Sequence, residues 1–432
     1  MTEELYAIAP AGMMGRVVWD RSRDRLTFFY DQNWRQARDS YPLSLSMPLT
    51  ASEHSHNVIE SFLWGLLPDN DGVLRRWGER FHVSPRHAFQ LLQYVGEECA
   101  GGVQLVQPHR AAEWREGHDT GSAEWLSRDQ VGERMHLLLR DHSNTRLGSD
   151  VGQFSLAGAQ PKTGFIYDPE RSRWGVPSGR IPTTHIFKPA TGAYDGFAEN
   201  EHFCMRIASA LDMGVARSEI HNFDGVTTIV VERYDRVGAG LTAKRVHQED
   251  MCQSLSRMPQ SKYENQGGPS AVEIIDLIRQ YSSKREEDEN RFIDALIFNW
   301  LICGTDAHAK NYSFLIAPYG AIRLAPLYDL VSSLPYPQQI NPRQAKLAMK
   351  IGSKYKSLQI GAPEWERFAE KVRVDVGDVR ERISHIIEAA PAIARDIGEQ
   401  ARREISHDVI PRLVSALGER AEVCKAAMQG HR

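Results

Sequence analysis

Asp306 and Asn311 stand five positions apart in a loop that follows an apolar segment, and this arrangement restricts the folds open to the chain more than any other feature. The apolar segment, residues 292–303, is too short and too polar to cross a bilayer, so it is predicted to form a buried core helix. A loop at the end of such a helix would hold the Asp306 carboxylate at the edge of a rigid unit. Taken alone, Asp306 would also fit a residue that caps the turn after the helix.

Asp329 adds a second acid 18 residues after Asn311, just beyond a predicted strand at 321–324. An Asp that accepts a hydroxyl proton, followed by an Asn and an Asp that bind magnesium, is the order of groups in the catalytic centre of protein kinases. We therefore predict Asp306 as the catalytic base and Asn311 and Asp329 as magnesium ligands, since their oxygens are the hard ligands that this ion prefers. On its own, Asp329 would also fit an ordinary turn acid.

His308 and Lys310 lie in the same loop and are candidate ATP-site residues. His308 is predicted either to hold the loop by hydrogen bonds or to take part in the chemistry. Lys310 is predicted either to neutralise the transferred phosphoryl group or to lie in solvent.

A loop of small residues, 155–162, precedes a predicted strand at 163–167. A glycine between two alanines lets backbone N–H groups approach phosphates closely, although the segment matches neither of the familiar glycine-rich phosphate-binding patterns. An ordinary hairpin turn would give a similar sequence. The candidate phosphate-binding residues are Ala157, Gly158, Ala159, Gln160 and Lys162.

Lys188 alternates with apolar residues on a predicted strand, 184–188, as a lysine that contacts α- and β-phosphates would. Its partner in a kinase is a helix glutamate, and both Glu199 and Glu201 begin the predicted helix 197–211. The sequence does not choose between them, and either would also be favourable at a helix N-terminus for its charge alone.

Glu232 and Tyr234 close the predicted strand 227–232, just before the chain turns mostly helical. At that place they are candidates for an inter-lobe hinge, in which backbone groups bind adenine and an aromatic ring flanks it. A bare strand end would look similar.

The composition is that of an ordinary globular protein, with 41% hydrophobic and 25% charged residues among 432. A net charge of −4 gives no global electrostatic reason to expect nucleic-acid binding. The five cysteines are scattered and suggest neither a disulfide framework nor a zinc site. The first residues lack the basic and apolar regions of a signal peptide, so we expect a cytoplasmic protein.

The order of predicted elements gives three domains: an N-terminal α/β subdomain at 1–115, a β-rich lobe at 116–236 and a helical lobe at 237–432. The fold class expected is α+β, a two-lobed protein-kinase-like fold. The polar stretch 109–122 is the predicted linker. The other predicted elements are strands at 15–19 and 25–30 and helices at 58–67, 86–95, 274–281, 291–303, 365–372, 379–389 and 409–417.

With these motifs in place, the chain resembles the HipA-type serine/threonine kinases, the toxins of HipBA-like toxin–antitoxin modules. The resemblance runs over nearly the whole length, and the motifs come in the order of the family. They are the segments 42–49, 65–70, 99–105, 155–162, 185–189, 199–201, 231–236, 247–250, 305–311 and 328–329.

The resemblance implies a fold related to phosphoinositide kinases, ATP and Mg²⁺ as cofactors, and a HipB-like DNA-binding antitoxin as partner. It assigns Lys188 to ATP, Glu232 and Tyr234 to the adenine hinge, and Gln248 to nucleotide contact. It makes Ser155 a site of autophosphorylation, where about −2 charge beside the ATP phosphates would eject the loop and switch the enzyme off. Pro161 departs from the family pattern, since it stiffens the loop and removes one N–H donor.

The substrate that the resemblance implies is an aminoacyl-tRNA synthetase, whose phosphorylation stops tRNA charging and causes growth arrest and persistence. Two other hypotheses stay open from the residues: a lipid or small-molecule kinase with the same constellation, and a nucleotide-sensing co-repressor that is not an enzyme. In a co-repressor, a basic stripe would contact DNA phosphates, although a solvated face or a place near the active site also fits it. The stripe consists of Arg343, Lys346, Lys350 and Lys354.

Overall fold

The computed structural model describes residues 2–117, 121–146, 154–192, 194–404 and 407–430, with 401–404 as backbone only. The chain divides into two compact units, each assembled from several segments. Unit 1 contains Met1–Pro189, His221–Gln260 and Ser313–Ile322, and unit 2 contains Ala190–Ile220, Ser261–Tyr312 and Arg323–Arg432. The predicted domain limits at 115/116 and 236/237 stay predictions.

The strands are β1 (Thr2–Ala9), β2 (Gly12–Asp20), β3 (Arg25–Tyr30), β4 (Glu53–His54), β5 (Gln104–Val106), β6 (Ser122–Leu126), β7 (Thr163–Asp168), β8 (Arg173–Ser178), β9 (His185–Pro189), β10 (Ser218–Phe223), β11 (Val226–Glu232), β12 (Arg236–Val237), β13 (Lys244–Arg245), β14 (His247–Asp250), β15 (Ser313–Ala317), β16 (Ala321–Leu324), β17 (Lys346–Ile351) and β18 (Lys354–Lys356).

The α-helices are α1 (Gln32–Gln36), α2 (His56–Gly65), α3 (Asp71–Phe81), α4 (Ala88–Val95), α5 (Pro108–Arg115), α6 (Arg128–Arg140), α7 (Phe197–Ala210), α8 (Met251–Ser254), α9 (Ala271–Tyr281), α10 (Arg285–Leu301), α11 (Ala362–Val372), α12 (Val376–Glu404) and α13 (Val409–Met428).

Unit 1 contains a five-stranded sheet near the N-terminus, in the order β4-β3-β2-β1-β5. Its ladders are antiparallel; β2 and β3, which contain the predicted strands 15–19 and 25–30, pair from Gly15 with Tyr30 to Asp20 with Arg25. Helix α2 packs against β3, and its Phe62 and Leu63 are buried. These elements form the predicted N-terminal α/β part of the chain.

A six-stranded sheet follows in the order β10-β11-β9-β7-β8-β6, and all of its strands except the start of β10 belong to unit 1. Helix α6 covers it, because Val131 and Met135 lie one helical turn apart and enter a core with Phe165 and Phe187 from the strands. A capping box formed by Ser127 and Gln130 begins this helix. The sheet carries the two predicted strands that bear the lysine and the hinge, β9 and β11.

A small sheet, β14-β15-β16, places Gln248 beside the N-terminal segment of unit 1. Gly101 has a φ of +85°, and a Cβ at this position would lie 3.0 Å from the backbone of Gln248. Gly102 is equally close to His247. The glycine pair therefore lets the segment after α4 pass directly over β14.

Unit 2 is mostly helical, with α10 at its centre. Phe292, Leu296 and Trp300 of this helix are buried, as the sequence predicts for a core helix. The Trp300 Nε1 donates to the Ser357 carbonyl at 3.1 Å, and Arg420 of α13 lies over the Trp300 ring. The predicted helices after residue 245 are all present, several of them longer than predicted.

The predicted linker 109–122 is wrong in its first half. Helix α5 occupies Pro108–Arg115, and strand β6 begins at Ser122. Pro108 begins the helix at its first turn, where proline is favoured, and Ala111 is buried. A polar composition concealed a helix that packs through Ala111 and Trp114 against Ile8 and Val106. Residues 118–120 of the stretch lie outside the described residues.

Together, the strand-rich unit 1 and the helix-rich unit 2 confirm the predicted α+β class. Within the described ranges, no helix has both the length and the apolar character needed to cross a membrane.

Candidate active site

The loop that carries Asp306 is held against the end of α10. Gly304 is required there, since a Cβ would lie 2.2 Å from Oδ1 of Asn299 on the last turns of the helix. The Asn299 amide in turn donates to the Ala295 carbonyl at 2.9 Å and to the Tyr312 hydroxyl at 3.2 Å. The Gly304 N–H donates to the Asn299 main-chain carbonyl at 2.8 Å, so the backbone and the side chain of Asn299 together tie both ends of the loop to the helix.

Asp306 and Asn311 are bonded to each other within the loop. Asn311 Nδ2 donates to the Asp306 carbonyl at 3.0 Å, and the His308 N–H donates to the same carbonyl at 2.8 Å. The Asp306 side chain is 69% exposed, and its Oδ1 accepts a hydrogen bond from the hydroxyl of Tyr263. The predicted base therefore stands at the surface of unit 2 on a loop that its own backbone bonds keep in shape.

His308 and Lys310 both point inward. His308 is buried, and its Nε2 lies 4.0 Å from Oδ1 of Asp306. Lys310 is only 6% exposed, so the alternative of a lysine in solvent is wrong. An ammonium that is taken out of water needs compensating negative charge or hydrogen bonds, and this favours its assignment to the site.

Asp329 lies on a segment fixed by backbone pairing and by one tyrosine. Leu327 pairs with Val215, donating to the Gly214 carbonyl at 2.8 Å and accepting from Ala216 at 2.9 Å. The Tyr328 hydroxyl donates to the Lys310 carbonyl at 2.7 Å. Tyr328 and Lys310 directly precede Asp329 and Asn311 in the chain. Their hydrogen bond therefore brings the two predicted magnesium ligands into one region of unit 2.

The backbone at Asp329 is left-handed, with a φ of +59°. A non-glycine residue with positive φ is uncommon, and aspartate is among the residues that tolerate it best. Such a conformation persists only where the surroundings enforce it, and it is concentrated at functional sites.

Asp288 supports the segment that leads to Asp329, and the sequence predicts no role for it. Its buried carboxylate accepts from the Leu324 N–H at 2.8 Å, from Arg323 Nε at 3.0 Å and from Ser282 at 2.6 Å. Burial opposes the charged form, but the hydrogen bonds from Arg323 and Ser282 outweigh it and lower the pKa of Asp288. In the sequence it is one of several acids at the start of a helix, and nothing there separates it from them.

The small-residue loop of unit 1 pairs with the segment after α2. Gly158 forms a parallel bridge with Pro68, its carbonyl accepts from the Asp69 N–H at 3.1 Å, and its φ is +109°. Lys162 Nζ donates to the Ala157 carbonyl at 2.7 Å. The loop is therefore not the hairpin turn that its sequence also allowed. Asn70, Ala159, Gln160 and Lys162 line a shallow cavity beside it.

Ser155 is completely buried at the start of this loop. Its N–H donates to the Glu98 carbonyl at 2.9 Å, and its Oγ donates to the Leu66 carbonyl at 2.8 Å. The hydroxyl is thus enclosed and bonded in this conformation.

Lys188 lies on β9, opposite Ile229 of β11, and its side chain is buried. Glu199 and Glu201 are both buried in the first turns of α7, where a negative charge is also favourable for the helix itself, so both interpretations of these glutamates stay predictions. Which of them pairs with Lys188 stays a prediction.

The predicted hinge residues come together within unit 1. Glu232 is the last residue of β11, and the hydroxyl of Tyr234 donates to Oε1 of Gln248 on β14. The strand end that carries Glu232 and Tyr234 and the strand that carries Gln248 are thus joined by a side-chain hydrogen bond.

A buried ion network surrounds this hinge and was missed by sequence reasoning. Glu98 accepts from Arg233 at 3.1 Å and from Arg236 at 3.0 Å, and it also binds Arg245. Burial alone would raise the pKa of Glu98, but the three guanidinium groups hold it well below its usual value. Asp235 completes the network by accepting from Arg233 at 2.8 Å.

The basic stripe belongs to a β-hairpin. Lys346 and Lys350 lie on β17 and Lys354 on β18, while Arg343 lies in the preceding turn. Lys350 is engaged, since its Nζ lies 2.8 Å from Oε1 of Glu264. The stripe is therefore not a uniform surface for phosphate contacts.

Comparison with known proteins identifies the family. The model of the HipA-like C-terminal domain matches residues 154–394, and that of the HipA N-terminal domain matches residues 5–106. Y4mE of Sinorhizobium fredii, named a candidate kinase, is 33% identical over 96% of this chain and 97% of its own length. The serine/threonine-protein kinase toxin HipA of Shewanella oneidensis is 29% identical over 83% of this chain and 81% of its own.

Among solved structures, HipA of Shewanella oneidensis MR-1, in a complex with HipB and its operator DNA, matches with a TM-score of 0.80. The match covers 99% of this chain and 98% of that one at 24% identity, so it confirms the kinase-like α+β fold. Matches to both family domains, in order and over most of the sequence, lead to one conclusion: this chain belongs to the HipA family and is a kinase.

Proposed function

We propose that this kinase is a toxin that transfers the γ-phosphate of ATP to a serine of a protein substrate, and that Asp306 is its catalytic base. One observation carries the proposal: the Tyr328–Lys310 and Asn311–Asp306 hydrogen bonds gather the base and both candidate magnesium ligands on two adjoining segments of unit 2.

Asp306 is suited to orient a hydroxyl group and to accept its proton. Its side chain is largely exposed, which leaves room for an incoming serine, while its backbone is fixed by two hydrogen bonds. Catalysis of phosphoryl transfer depends mainly on positioning the reactants and on stabilising charge. A carboxylate that is accessible and stands on a fixed backbone can provide the positioning.

Asn311 and Asp329 fit magnesium by the chemistry of their donor atoms. The Asn311 Nδ2 is committed to the Asp306 carbonyl, so the amide oxygen is the atom that this side chain offers to a metal. Among the described residues, no group of three or more His, Cys, Asp or Glu side chains could hold a metal. A site with one carboxylate and one amide suits Mg²⁺, which keeps several waters and phosphate oxygens. Magnesium would supply positive charge that neutralises the phosphates.

In unit 1, we assign the phosphates to Ala157, Gly158, Ala159, Gln160, Lys162 and Lys188, and the adenine to Glu232, Tyr234 and Gln248. The positive φ of Gly158 and the bridge to Pro68 support an exposed backbone turn beside the cavity. The Tyr234–Gln248 hydrogen bond supports a shared adenine-binding surface. His308 and Lys310, which lie in unit 2, are proposed as ATP-contact residues of the catalytic loop.

Ser155 is proposed as the site of self-phosphorylation and of inhibition. A phosphate cannot be added to its buried Oγ while the bond to Leu66 is kept, so the modified loop has to leave its place. Displacement of the loop would move away the backbone groups that we assign to the ATP phosphates.

The cellular role is proposed from the resemblance to the HipA family. We propose an aminoacyl-tRNA synthetase as the substrate, a HipB-like DNA-binding antitoxin as the partner, and the cytoplasm as the location. The Shewanella HipA, named a toxin and solved with HipB and operator DNA, supports the partner. All five cysteines are buried and free, as a reducing compartment would keep them.

The first experiment is the intact mass of the purified protein after incubation with Mg-ATP, alongside an Asp306→Asn variant. We expect the wild-type protein to gain one phosphate at Ser155 and the variant to gain none. Phosphate gained equally by Asp306→Asn would contradict the role of Asp306. Before incubation, the mass of the wild-type protein shows whether Ser155 was already modified; an unmodified protein that gains nothing would favour a co-repressor.

The substrate is tested with labelled ATP in a bacterial extract, with Asp306→Asn as the control. Label in one protein band, together with lost charging of one tRNA, would support a synthetase. Label confined to lipids or metabolites would instead indicate a small-molecule kinase.

A further inference from the structure

Tyr263 lies on a short loop, residues 261–268, that contacts the catalytic loop at three successive points. Its hydroxyl donates to Oδ1 of Asp306, and the edge of its ring meets His308 with 5.1 Å between ring centroids. The Lys262 carbonyl accepts from the Ala309 N–H at 3.4 Å. We call residues 261–268 the tyrosine loop.

The tyrosine loop is anchored on its far side by an ion pair with the basic hairpin. The Glu264 carboxylate accepts from the Lys350 N–H at 2.8 Å and pairs with Lys350 Nζ at 2.8 Å. The hydrogen bond to Glu264 raises the pKa of Lys350, so the Lys350 ammonium stays charged at neutral pH. Because Glu264 follows Tyr263 directly in the chain, this ion pair restricts the position of the Tyr263 backbone.

The loop also closes tightly on itself. A Cβ on Gly268 would lie 2.1 Å from the Ser261 carbonyl, and Gly268 donates to the Tyr263 carbonyl at 2.9 Å. The position of Tyr263 is therefore restricted by the backbone of its own loop and by the contact of Glu264 with the hairpin.

We propose that Tyr263 is a positioning residue for Asp306 and that the Glu264–Lys350 pair fixes it there. This inference rests on the proposed role of Asp306 as the base. The Asp306 side chain is largely exposed, so packing alone does not select its rotamer. A phenol that donates to Oδ1 sets the rotation of the carboxylate and therefore the direction in which a substrate hydroxyl meets it. A small error in that direction lowers the rate of transfer strongly, although it leaves nucleotide binding intact.

The test is a Tyr263→Phe variant, which keeps the ring and removes only the hydroxyl group. The rate of phosphoryl transfer from γ-labelled ATP, to the protein itself or to water, is measured against Mg-ATP concentration. We expect the maximal rate to fall about tenfold while the half-saturating Mg-ATP concentration stays at the wild-type value. Tyr319→Phe is the matched control, since Tyr319 is exposed at the turn between β15 and β16.

The anchor is tested by a second pair of variants on one strand. Lys350→Met removes the partner of Glu264, and we expect a smaller fall in the maximal rate, about threefold, again without a change in half-saturation. Lys346→Met, an exposed lysine on the same strand, should behave as wild type.

The outcomes separate this inference from the proposed function. A Tyr263→Phe protein with the wild-type maximal rate, beside an inactive Asp306→Asn protein, overturns the inference alone. A raised half-saturation with an unchanged maximal rate also overturns it, because Tyr263 would then act on the nucleotide. An active Asp306→Asn protein overturns the proposed function itself.

Discussion

The main-chain carbonyl of Glu98 accepts a hydrogen bond from the N–H of Ser155 at 2.9 Å, while its carboxylate binds three buried arginines. One residue therefore holds both the start of the small-residue loop and the hinge segment that follows β11. A displacement of Glu98 would therefore disturb both the small-residue loop and the hinge segment of unit 1.

Glu98→Gln should reduce the free energy of unfolding by about 3–5 kcal/mol, because it removes one carboxylate from a buried ion network. Arg233 and Arg236 would keep Asp235 as a partner, and Arg245 would lose the carboxylate that it binds. Glu97→Gln is the matched control, since Glu97 pairs with Arg110 where both side chains are partly exposed, and it should lose less than about 1 kcal/mol. Chemical denaturation measures both. Equal losses would show that the network is not a main source of stability.

Modification of Ser155 should loosen the loop that it begins. The buried Oγ has no room for a phosphate beside Leu66, so amide hydrogens of residues 155–162 should exchange faster in the phosphorylated protein. A Ser155→Glu variant should show the same rise, while the amides of β7 exchange as before. Hydrogen exchange followed by mass spectrometry measures this. Unchanged exchange in the modified protein would refute displacement of the loop.

Glu249 should make stability depend on pH. Burial raises its pKa from 4.5 to about 7, and its Oε2 has no hydrogen-bond partner among the described residues. A raised carboxyl pKa stabilises the fold fully below pH 4.5, and this stabilisation is lost as pH rises through 7. Glu249→Gln, which mimics the protonated acid, should match the wild type near pH 4, where Glu249 is protonated in the folded and the unfolded protein.

Near pH 8 the same variant should exceed the wild type by about 3 kcal/mol in the free energy of unfolding. Thermal or chemical unfolding across the pH range measures the difference. Glu370→Gln, an exposed carboxylate on α11, is the control and should show no such trend. A difference that does not grow with pH would contradict the protonated state of Glu249.

Gly304→Ala should damage the catalytic loop. Its Cβ would meet Oδ1 of Asn299 at 2.2 Å and break the bonds that tie the loop to α10, at a cost of about 1–3 kcal/mol, with loss of phosphoryl transfer. Gly418→Ala is the opposite control, because nothing lies within 4 Å of its Cβ, and it should stabilise α13 by about 0.5–1 kcal/mol. Unfolding and transfer assays measure both. An active, stable Gly304→Ala protein would contradict the contact.

Local sequence patterns predicted most of the secondary structure and the residues of the catalytic loop. The strands β2, β3, β7 and β11 and the helices α7 and α9–α13 follow from alternation and helical spacing, which depend on neighbouring residues alone. The linker prediction failed where polar composition concealed α5, since burial of Ala111 cannot be read from its neighbours.

The sequence by itself determined the order of the elements, the α+β class and the spacing of Asp306, Asn311 and Asp329, because these depend on residues close together in the chain. Only the tertiary structure decided which side chains support them. Tyr263 reaches Asp306 across 43 residues, and Glu98 reaches Arg233 across 135. No periodicity or motif encodes such contacts, since chain folding, and not chain order, brings their atoms within hydrogen-bonding distance.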